Sequence, residues 1–210
     1  MKKIGVTGGV GAGKSRVLDY LSERWGAFVL RLDDVGRDLL LPEGACYREV
    51  IRLFGEAVVR EDQSLDRPLI ARKIFGNEEL RQRMNAIIHP AVRREAERQM
   101  EKAGAEAARL FVLEAALLLE DHYEEILDEI WYVRADEAVR AARLAESRGY
   151  DESRIRNVMA SQLSDEAFRK RADAVIDNSG DFEETKRQID RLVRRCLGEG
   201  YKSAMKGNRE

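Results

Sequence analysis

Residues 8–15 read GGVGAGKS and have the residue types and spacing of a loop that binds phosphate groups. The segment fits the pattern G-x-x-x-x-G-K-[ST], whose fixed positions here are Gly8, Gly13, Lys14 and Ser15. Glycines let successive backbone N–H groups turn toward a phosphate, because no Cβ stands in the way. Lys14 reaches the terminal phosphates, and the hydroxyl of Ser15 ligates Mg²⁺. The sequence therefore predicts that the chain binds a nucleoside triphosphate.

The phosphate loop (residues 8–15) is followed by a segment with helical spacing. We expect the unpaired N–H groups and the positive end of the helix dipole to face the same anion. The loop residues predicted to bind ATP are Gly9, Val10, Gly11, Ala12, Gly13, Lys14 and Ser15. Lys14 is also a candidate catalytic residue, and Ser15 is the candidate metal ligand.

Asp33 follows a second apolar run, at the edge where open α/β sheets bind ligands. A carboxylate there either accepts the proton of an attacking hydroxyl or holds a water of the Mg²⁺ shell. The alternative is a helix N-cap, and we assign the function to Asp33 and the cap to Asp34. Arg37 points back to the same edge if a helix starts at Asp34, where its guanidinium suits an anionic acceptor. A solvated helix arginine is equally compatible with the spacing.

Two glutamates and both histidines of the chain have more ambiguous roles. Glu114 ends another apolar run, so we expect it at the ligand edge, in contact with the acceptor or the metal. His89 precedes Pro90 within a helical stretch, and either binding or a helix break explains the pair. Glu120 is interpreted as a surface cap or ion pair, and His122 as an exposed residue.

Arginines and a polar turn in the last third of the chain complete the candidate site. Arg140 and Arg143 are three residues apart and share a helix face, with Arg148 further along. Such cations stabilise charge on the γ-phosphoryl oxygens, although a run of charges is more often a solvated face. Asn178 follows the fifth apolar run, where a turn can contact the adenine ring or serve only as a turn.

Short apolar runs that alternate with amphipathic helices predict an α/β fold with a parallel sheet covered on both faces. The five predicted strands are residues 4–7, 27–32, 110–113, 130–133 and 174–177. About 75 residues separate the second and third strands, too many for one crossover helix. We therefore expect an inserted helical subdomain, with helices at 46–54 and 78–103 and a kink or division at Pro90.

The predicted organisation is a single domain over residues 1–200 with a polar tail at 201–210. Its core comprises residues 1–37, 109–135 and 172–198, its acceptor-binding insertion residues 38–108, and its helical lid residues 136–171. Two insertions around a phosphate-loop core indicate a small-molecule kinase, in which one holds the acceptor and the other closes over the phosphates.

Composition narrows the remaining possibilities. With 210 residues, 44% of them hydrophobic, the chain is long enough to bury a core. A formal net charge of −2 argues against nucleic acid as a partner. Cys46 and Cys196 lie far apart in the sequence, without the spacing of a metal site. We therefore expect both to be reduced thiols in a cytosolic protein. No apolar stretch is long enough to span a bilayer and no signal peptide is apparent, so we expect a cytoplasmic protein. We expect it to be a monomer or a weak homo-oligomer.

The whole pattern resembles the dephospho-CoA kinase family, from residue 4 to about residue 193. The histidine–proline step and the Asn-Ser-Gly turn are more specific to that family than the phosphate loop. The landmarks are Thr7–Ser15 (TGGVGAGKS), Asp33 with Arg37, Leu65-Asp66-Arg67, Phe75, Ile88-His89-Pro90, Leu117-Leu118-Leu119-Glu120, Arg143-Leu144, Gln162, Ala172-Asp173 and Val175-Ile176-Asp177-Asn178-Ser179-Gly180.

The resemblance implies a three-layer phosphate-loop core with a helical CoA-binding domain and a lid. It implies that ATP, with Mg²⁺, phosphorylates the ribose 3′-hydroxyl of dephospho-CoA to give coenzyme A and ADP. Asp33 then falls on the family's catalytic base, Arg37 and His89 on its acceptor site, and Arg143 on its lid. The predicted acceptor-binding residues are Asp33, Arg37, His89 and Glu114, and Arg143 and Asn178 join the residues predicted to bind ATP.

This chain departs from the family pattern at three places. Arg31 replaces the first acid of the usual Asp-x-Asp, Ala116 replaces a proline, and Arg148 lies one residue further from Arg143 than expected. Two other functions stay open from sequence: a nucleoside or nucleotide kinase of the same architecture, and a nucleotide-switched regulatory module. The absence of an N-K-x-D segment counts against a GTP switch.

Overall fold

The computed structural model describes residues 1–115, 118 and 122–198. They form two compact units, one from Met1–Leu30 and the described residues from Ala103 onward, the other from Arg31–Lys102. The second unit begins and ends earlier than the predicted insertion at 38–108. The predictions for Glu120 and for the tail at 201–210 lie outside the described residues.

The first unit contains a five-stranded sheet with strand order β2-β3-β1-β4-β5. Its strands are β1 (Lys2–Thr7), β2 (Phe28–Arg31), β3 (Leu110–Glu114), β4 (Glu129–Arg134) and β5 (Ala174–Asp177). β1 lies in the centre, paired in parallel with β3 on one side and β4 on the other, and β5 pairs in parallel with β4. All five predicted strands are confirmed, but β2 is shorter than predicted, because a helix already begins at Leu32.

Helices account for most of the remaining described residues. In chain order they are α1 (Lys14–Trp25), α2 (Leu32–Asp38), α3 (Tyr47–Phe54), α4 (Arg67–Ile74), α5 (Glu78–Ala105), α6 (Glu137–Arg148), α7 (Glu152–Ala160), α8 (Asp165–Arg171) and α9 (Phe182–Leu197). Capping residues mark several helix ends. Gly26 and Gly149, in the left-handed conformation, end α1 and α6. Asp151 and Ser164 cap α7 and α8 by accepting backbone N–H groups.

Alternation along the strands buries both faces of the sheet. Val6 of β1 and Val133 of β4 belong to the core cluster that also contains residues of α1 and α9. Tyr132 points to the opposite face. There its ring stacks on Phe168 of α8 with centroids 4.7 Å apart. Helices therefore cover both faces, and the predicted three-layer α/β architecture is confirmed.

The second unit is helical and has a core of its own. Its buried side chains come from α3, α4, α5 and the segment between α3 and α4: Tyr47, Val50, Phe54, Val58, Leu65, Ile70 and Met84. The predicted helices at 46–54 and 78–103 are present as α3 and α5. Of the two outcomes predicted at Pro90, the division is wrong, since α5 continues through it, and the kink stays a prediction. Proline removes only its own N–H from the helix, and the neighbouring Ala91 and Val92 are buried and hold the chain in place.

The start of α2 also differs from the prediction. The helix begins at Leu32, so its N-cap position falls on Arg31, which makes no side-chain cap hydrogen bond. Asp34 therefore does not cap the helix, and its carboxylate forms an ion pair with Arg37 one turn later.

Two further observations concern the cysteines and the helix lengths. Cys46 is buried and Cys196 half-buried, and both are free thiols. Among the helices of the described ranges, none combines the length and the apolar character that crossing a bilayer requires.

Candidate active site

The phosphate loop lies between β1 and α1, in a backbone conformation that needs glycine. Gly13 stands at the N-cap position of α1 with a φ of 89°, in the left-handed region that L-residues with a side chain rarely adopt. At Gly8, a Cβ would collide with the carbonyl oxygen of Val133 on β4. The glycines thus serve both the turn and its close approach to the sheet, as the sequence pattern predicted.

Lys14 is held at the base of the loop by two oxygen atoms. Its Nζ donates a hydrogen bond to the carbonyl oxygen of Gly8 over 2.8 Å and lies 3.6 Å from Oε1 of Glu114. Both charged side chains are largely buried, with exposed fractions of 14% and 12%. Glu114, at the end of β3, therefore lies beside the phosphate loop, at the ligand edge where we expected it. Ser15 is exposed in the first turn of α1.

Two side chains of the lid segment (residues 136–171) contact the tip of the loop. Arg140 of α6 donates through Nε to the carbonyl oxygen of Val10 over 2.9 Å. Oε1 of Gln162 accepts hydrogen bonds from the N–H of Val10, at 3.1 Å, and from Nη2 of Arg140. A Cβ added at Gly9 would meet both side chains. Glycine at this position therefore lets the lid segment approach the loop backbone.

Arg143, one turn after Arg140 on α6, binds carbonyl groups on the other side of the loop. Its Nη2 donates to the carbonyl oxygen of Asn178 over 2.9 Å, and Nη1 lies 3.3 Å from that of Ala12. The predicted shared face of Arg140 and Arg143 is confirmed by these contacts. Arg148 lies elsewhere, with its guanidinium 5.9 Å from the centroid of the Tyr150 ring.

Asn178 has a different environment from the exposed turn that its sequence suggested. The residue is 2% exposed, and its Nδ2 donates to the carbonyl oxygen of Ala12 over 2.8 Å. Its Oδ1 accepts a hydrogen bond from the hydroxyl of Thr185 over 3.1 Å. The side chain therefore supports the phosphate loop from inside the protein, and its contact with adenine stays a prediction.

A charged cluster at the ends of β4 and β5 fastens the lid segment to the sheet. Arg134 forms ion pairs with Asp136, Asp165 and Asp177. The hydroxyl of Tyr132 donates to Asp165 over 2.9 Å, and burial together with this carboxylate raises the pKa of Tyr132 to about 12. Burial acts to raise the pKa of Asp177, but hydrogen bonds from Ser179 and the Arg134 charge outweigh it and lower that pKa.

The second unit contains the remaining predicted site residues. Asp33 is the second residue of α2, two positions after the end of β2, and is exposed. Nε of Arg37 lies 3.5 Å from the carbonyl oxygen of Asp33, so the two residues lie together on α2. Nη2 of Arg67 donates to the carbonyl oxygen of Arg37 over 3.2 Å. His89 is half-buried on α5.

Sequence reasoning missed Gln162, which contacts the phosphate loop, and Thr185, which contacts Asn178 behind it. Gln162 was only a landmark of the family resemblance, and Thr185 carried no signal. Gln162 is separated from its partner Val10 by 152 positions, so no local spacing could have connected them. The family landmark was the one available indication that Gln162 has a specific role.

Comparisons with known proteins agree with this geometry. The family model described as dephospho-CoA kinase matches residues 2–184. A dephospho-CoA kinase of Corynebacterium efficiens is 36% identical over 197 residues, covering 94% of this chain and 98% of its own length.

Two solved structures extend the comparison. TT1252 from Thermus thermophilus superposes with a TM-score of 0.78 at 33% identity, over 96% of this chain and 98% of its own. A dephospho-CoA kinase from Campylobacter jejuni superposes with a TM-score of 0.69 over 96% of this chain and all of its own. At 19% identity, the latter supports the fold alone.

Proposed function

The chain belongs to the dephospho-CoA kinase family, and we propose that it transfers the γ-phosphoryl group of ATP to the 3′-hydroxyl of the ribose of dephospho-CoA. The products are coenzyme A and ADP, and the reaction is the last step of coenzyme A biosynthesis. One observation carries the proposal: the family match runs over residues 2–184 and includes a formed phosphate loop with two lid arginines on its backbone.

The phosphate loop and Lys14 hold the triphosphate. Loop N–H groups and the start of α1 bind phosphate oxygens, and the ammonium group of Lys14 neutralises charge on the terminal phosphates. Glu114 lies 3.6 Å from that ammonium, so we assign it the role of orienting Lys14. A contact of Glu114 with the acceptor or the metal remains our prediction from sequence.

Mg²⁺ fits the oxygen donors present at this edge. The described residues contain no group of three or more His, Cys, Asp and Glu side chains that could hold a metal ion. Mg²⁺ in phosphoryl-transfer sites is instead held by one or two protein oxygens, substrate phosphates and waters. Ser15 would supply the direct ligand, and Glu114 provides a second carboxylate oxygen nearby. When bound, the ion neutralises charge that develops on the phosphates.

Asp33 is the proposed general base. Its exposed carboxylate, in the first turn of the helix that follows β2, can accept the proton of the ribose hydroxyl as the oxygen attacks phosphorus. Arg37, on the same short helix, and His89 on α5 are the proposed ligands of the anionic acceptor. Asp33 stands in the place of the second acid of the family's Asp-x-Asp, so the replacement of the first acid by Arg31 leaves the base intact.

Arg140 and Arg143 are the proposed cations of the lid. Both contact loop carbonyl groups, so each guanidinium lies beside the backbone that binds the triphosphate. From there they stabilise charge on the transferred group, and the closed lid segment excludes water that would otherwise hydrolyse ATP. We also propose a cytoplasmic location, which suits the two free thiols, and a monomer or weak homo-oligomer.

The test is a coupled ADP-release assay on the purified chain. Dephospho-CoA, adenosine, AMP and no acceptor are compared at equal ATP and Mg²⁺, and the product is identified by mass spectrometry. We expect ADP release to require dephospho-CoA and the product to be coenzyme A.

Two outcomes would replace the proposal. Turnover with adenosine or AMP but not with dephospho-CoA identifies a nucleoside or nucleotide kinase. Nucleotide binding without turnover on any acceptor identifies a regulatory module.

A further inference from the structure

We propose that Thr185 is a positioning residue for the phosphate loop, acting through Asn178 on the carbonyl group of Ala12. The inference rests on the proposed function only in that the loop binds ATP. It assigns a role in nucleotide affinity to a buried hydroxyl on α9, the last helix of the described chain.

The three residues form a buried chain of hydrogen bonds. Thr185 is fully buried and Asn178 is 2% exposed. The Thr185 hydroxyl donates to Oδ1 of Asn178 over 3.1 Å and is 3.2 Å from the carbonyl oxygen of Asp177. On the other side of the amide, Nδ2 of Asn178 donates to the carbonyl oxygen of Ala12 over 2.8 Å.

The amide of Asn178 is held in one orientation from both sides. The oxygen and nitrogen of an asparagine side chain are nearly equal in shape, and only hydrogen-bond partners distinguish the two orientations. The carbonyl oxygen of Ala12 can only accept, so it requires Nδ2 on its side, and the hydrogen of the Thr185 hydroxyl then binds Oδ1 on the side of α9. Rotation of the amide by half a turn would place Oδ1 against the Ala12 carbonyl oxygen, leaving two buried acceptors opposed.

The orientation of the Ala12 carbonyl group in turn determines the direction of the Gly13 N–H group. A trans peptide is planar, so its C=O and the N–H of the next residue point in opposite directions. When Asn178 holds the Ala12 oxygen, the N–H of Gly13 is directed away from Asn178. Loop N–H groups are the groups that bind phosphate oxygens. The Thr185 hydroxyl therefore preorganises a phosphate-binding donor that it does not touch.

Two other contacts restrict the orientation of the peptide between Ala12 and Gly13. A Cβ at Gly13 would collide with Nδ2 of Asn178, so glycine is required for the amide to reach the loop. Arg143 also donates to the carbonyl oxygens of Ala12 and Asn178. The lid arginine and the asparagine thus bind the same loop carbonyl from two directions.

The test compares Thr185→Val, which keeps the shape and replaces the hydroxyl by a methyl, with Thr185→Ser, which keeps the hydroxyl. Calorimetric titration with a non-hydrolysable ATP analogue and Mg²⁺, without acceptor, gives the nucleotide affinity. We expect Thr185→Val to weaken it by about tenfold, the effect of one lost buried hydrogen bond, and Thr185→Ser to stay within about twofold. The KM for dephospho-CoA should not change.

Ile189→Val is the matched packing control, since Ile189 is fully buried on the same helix and has no polar group. It should lower the melting temperature and leave the nucleotide affinity unchanged. Nucleotide affinity at the wild-type level in Thr185→Val, or a loss in Thr185→Ser as large as in Thr185→Val, would overturn the proposal. If Thr185→Val does not fold, Thr185→Ala provides the same comparison without an added methyl group.

The proposed function is tested separately, by phosphorylation of dephospho-CoA by the wild-type chain. A wild-type chain that binds the analogue but does not phosphorylate dephospho-CoA contradicts the proposed reaction and leaves the Thr185 comparison valid.

Discussion

The side-chain oxygen of Gln162 accepts a hydrogen bond from the backbone N–H of Val10 over 3.1 Å. The same oxygen accepts a hydrogen bond from Arg140, whose Nε donates to the carbonyl oxygen of Val10. The peptide groups on both sides of Val10 are therefore bound by two side chains of the lid segment. The lid segment is therefore joined to the loop tip at Val10 by both Arg140 and Gln162.

Gln162→Leu should uncouple the lid from the loop. The leucine keeps a similar size but accepts no hydrogen bond, so Arg140 loses its support and the closed lid is less populated. We expect phosphoryl transfer to slow by about tenfold, and ATP hydrolysis without acceptor to rise relative to transfer because water enters the site. Parallel assays of ADP and coenzyme A measure the ratio. Arg148→Gln, on the same segment but directed toward Tyr150, is the control and should keep the wild-type ratio.

Gly9→Ala should disturb the same contact from the loop side. The added methyl would meet Nη2 of Arg140 and lie 2.9 Å from Oε1 of Gln162, so the lid side chains must move outward. We expect the KM for ATP to rise by about tenfold, while the melting temperature changes little because the strain falls on mobile side-chain ends. Gly104→Ala, whose nearest neighbour would be Cε of Met1 at 3.9 Å, is the matched glycine control. An unchanged KM for ATP in Gly9→Ala would show that the lid accommodates the methyl.

Asp33→Asn should separate catalysis from nucleotide binding. The amide keeps the shape of the side chain but cannot accept the hydroxyl proton, so we expect turnover to fall by about 100-fold or more. Binding of the ATP analogue should stay at the wild-type level. Asp38→Asn is the matched control, because Asp38 is an exposed carboxylate on the same helix. Turnover of Asp33→Asn close to that of the wild type would remove Asp33 as the base.

Glu129 should make the free energy of unfolding depend on pH in the acidic range. Burial acts to raise the pKa of its carboxyl group, but hydrogen bonds from Trp131, Cys196 and Arg195 outweigh burial and lower it to about 2. The usual value is 4.5, and the difference corresponds to about 3 kcal/mol of stabilisation. Because the folded-state pKa is the lower one, this contribution is present above pH 4.5 and is lost as the pH falls toward 2.

The measurement is urea unfolding of the wild type and Glu129→Gln at a series of pH values. The difference in free energy of unfolding between the wild type and Glu129→Gln should be largest at neutral pH and should decrease as the pH falls from 4.5 toward 2. Glu43→Gln, at an exposed position, should show no comparable difference. A gap between wild type and Glu129→Gln that stays constant down to the lowest pH would contradict the assignment.

Local patterns were sufficient to predict the strands and the loop. Each apolar run is short and bounded by polar or glycine residues, and the phosphate loop is a contiguous segment whose backbone needs are visible in its glycines. Pro90 shows the limit of such reasoning, because burial of Ala91 and Val92 in the tertiary structure keeps α5 continuous. Asp34 shows it again, since a shift of two residues in the helix start turns a cap into an ion pair with Arg37.

The supports of the site were not predictable because they are non-local. Asn178 reads as a turn residue from its neighbours, and only the fold brings its amide to Ala12, 166 positions away. Thr185 is one of many hydroxyl residues in amphipathic helices, and nothing in its spacing distinguishes it. The sequence therefore provided candidates for the residues that meet the substrates, but it did not indicate the side chains that hold the loop in shape.

The position of β1 between β3 and β4 has a consequence for protein synthesis. β1 and the phosphate loop lie within residues 2–15, yet β1 obtains its neighbours in the sheet only when β3 and β4 have been made. On the ribosome, the strand that leads into the phosphate loop is therefore synthesised long before the two strands that flank it.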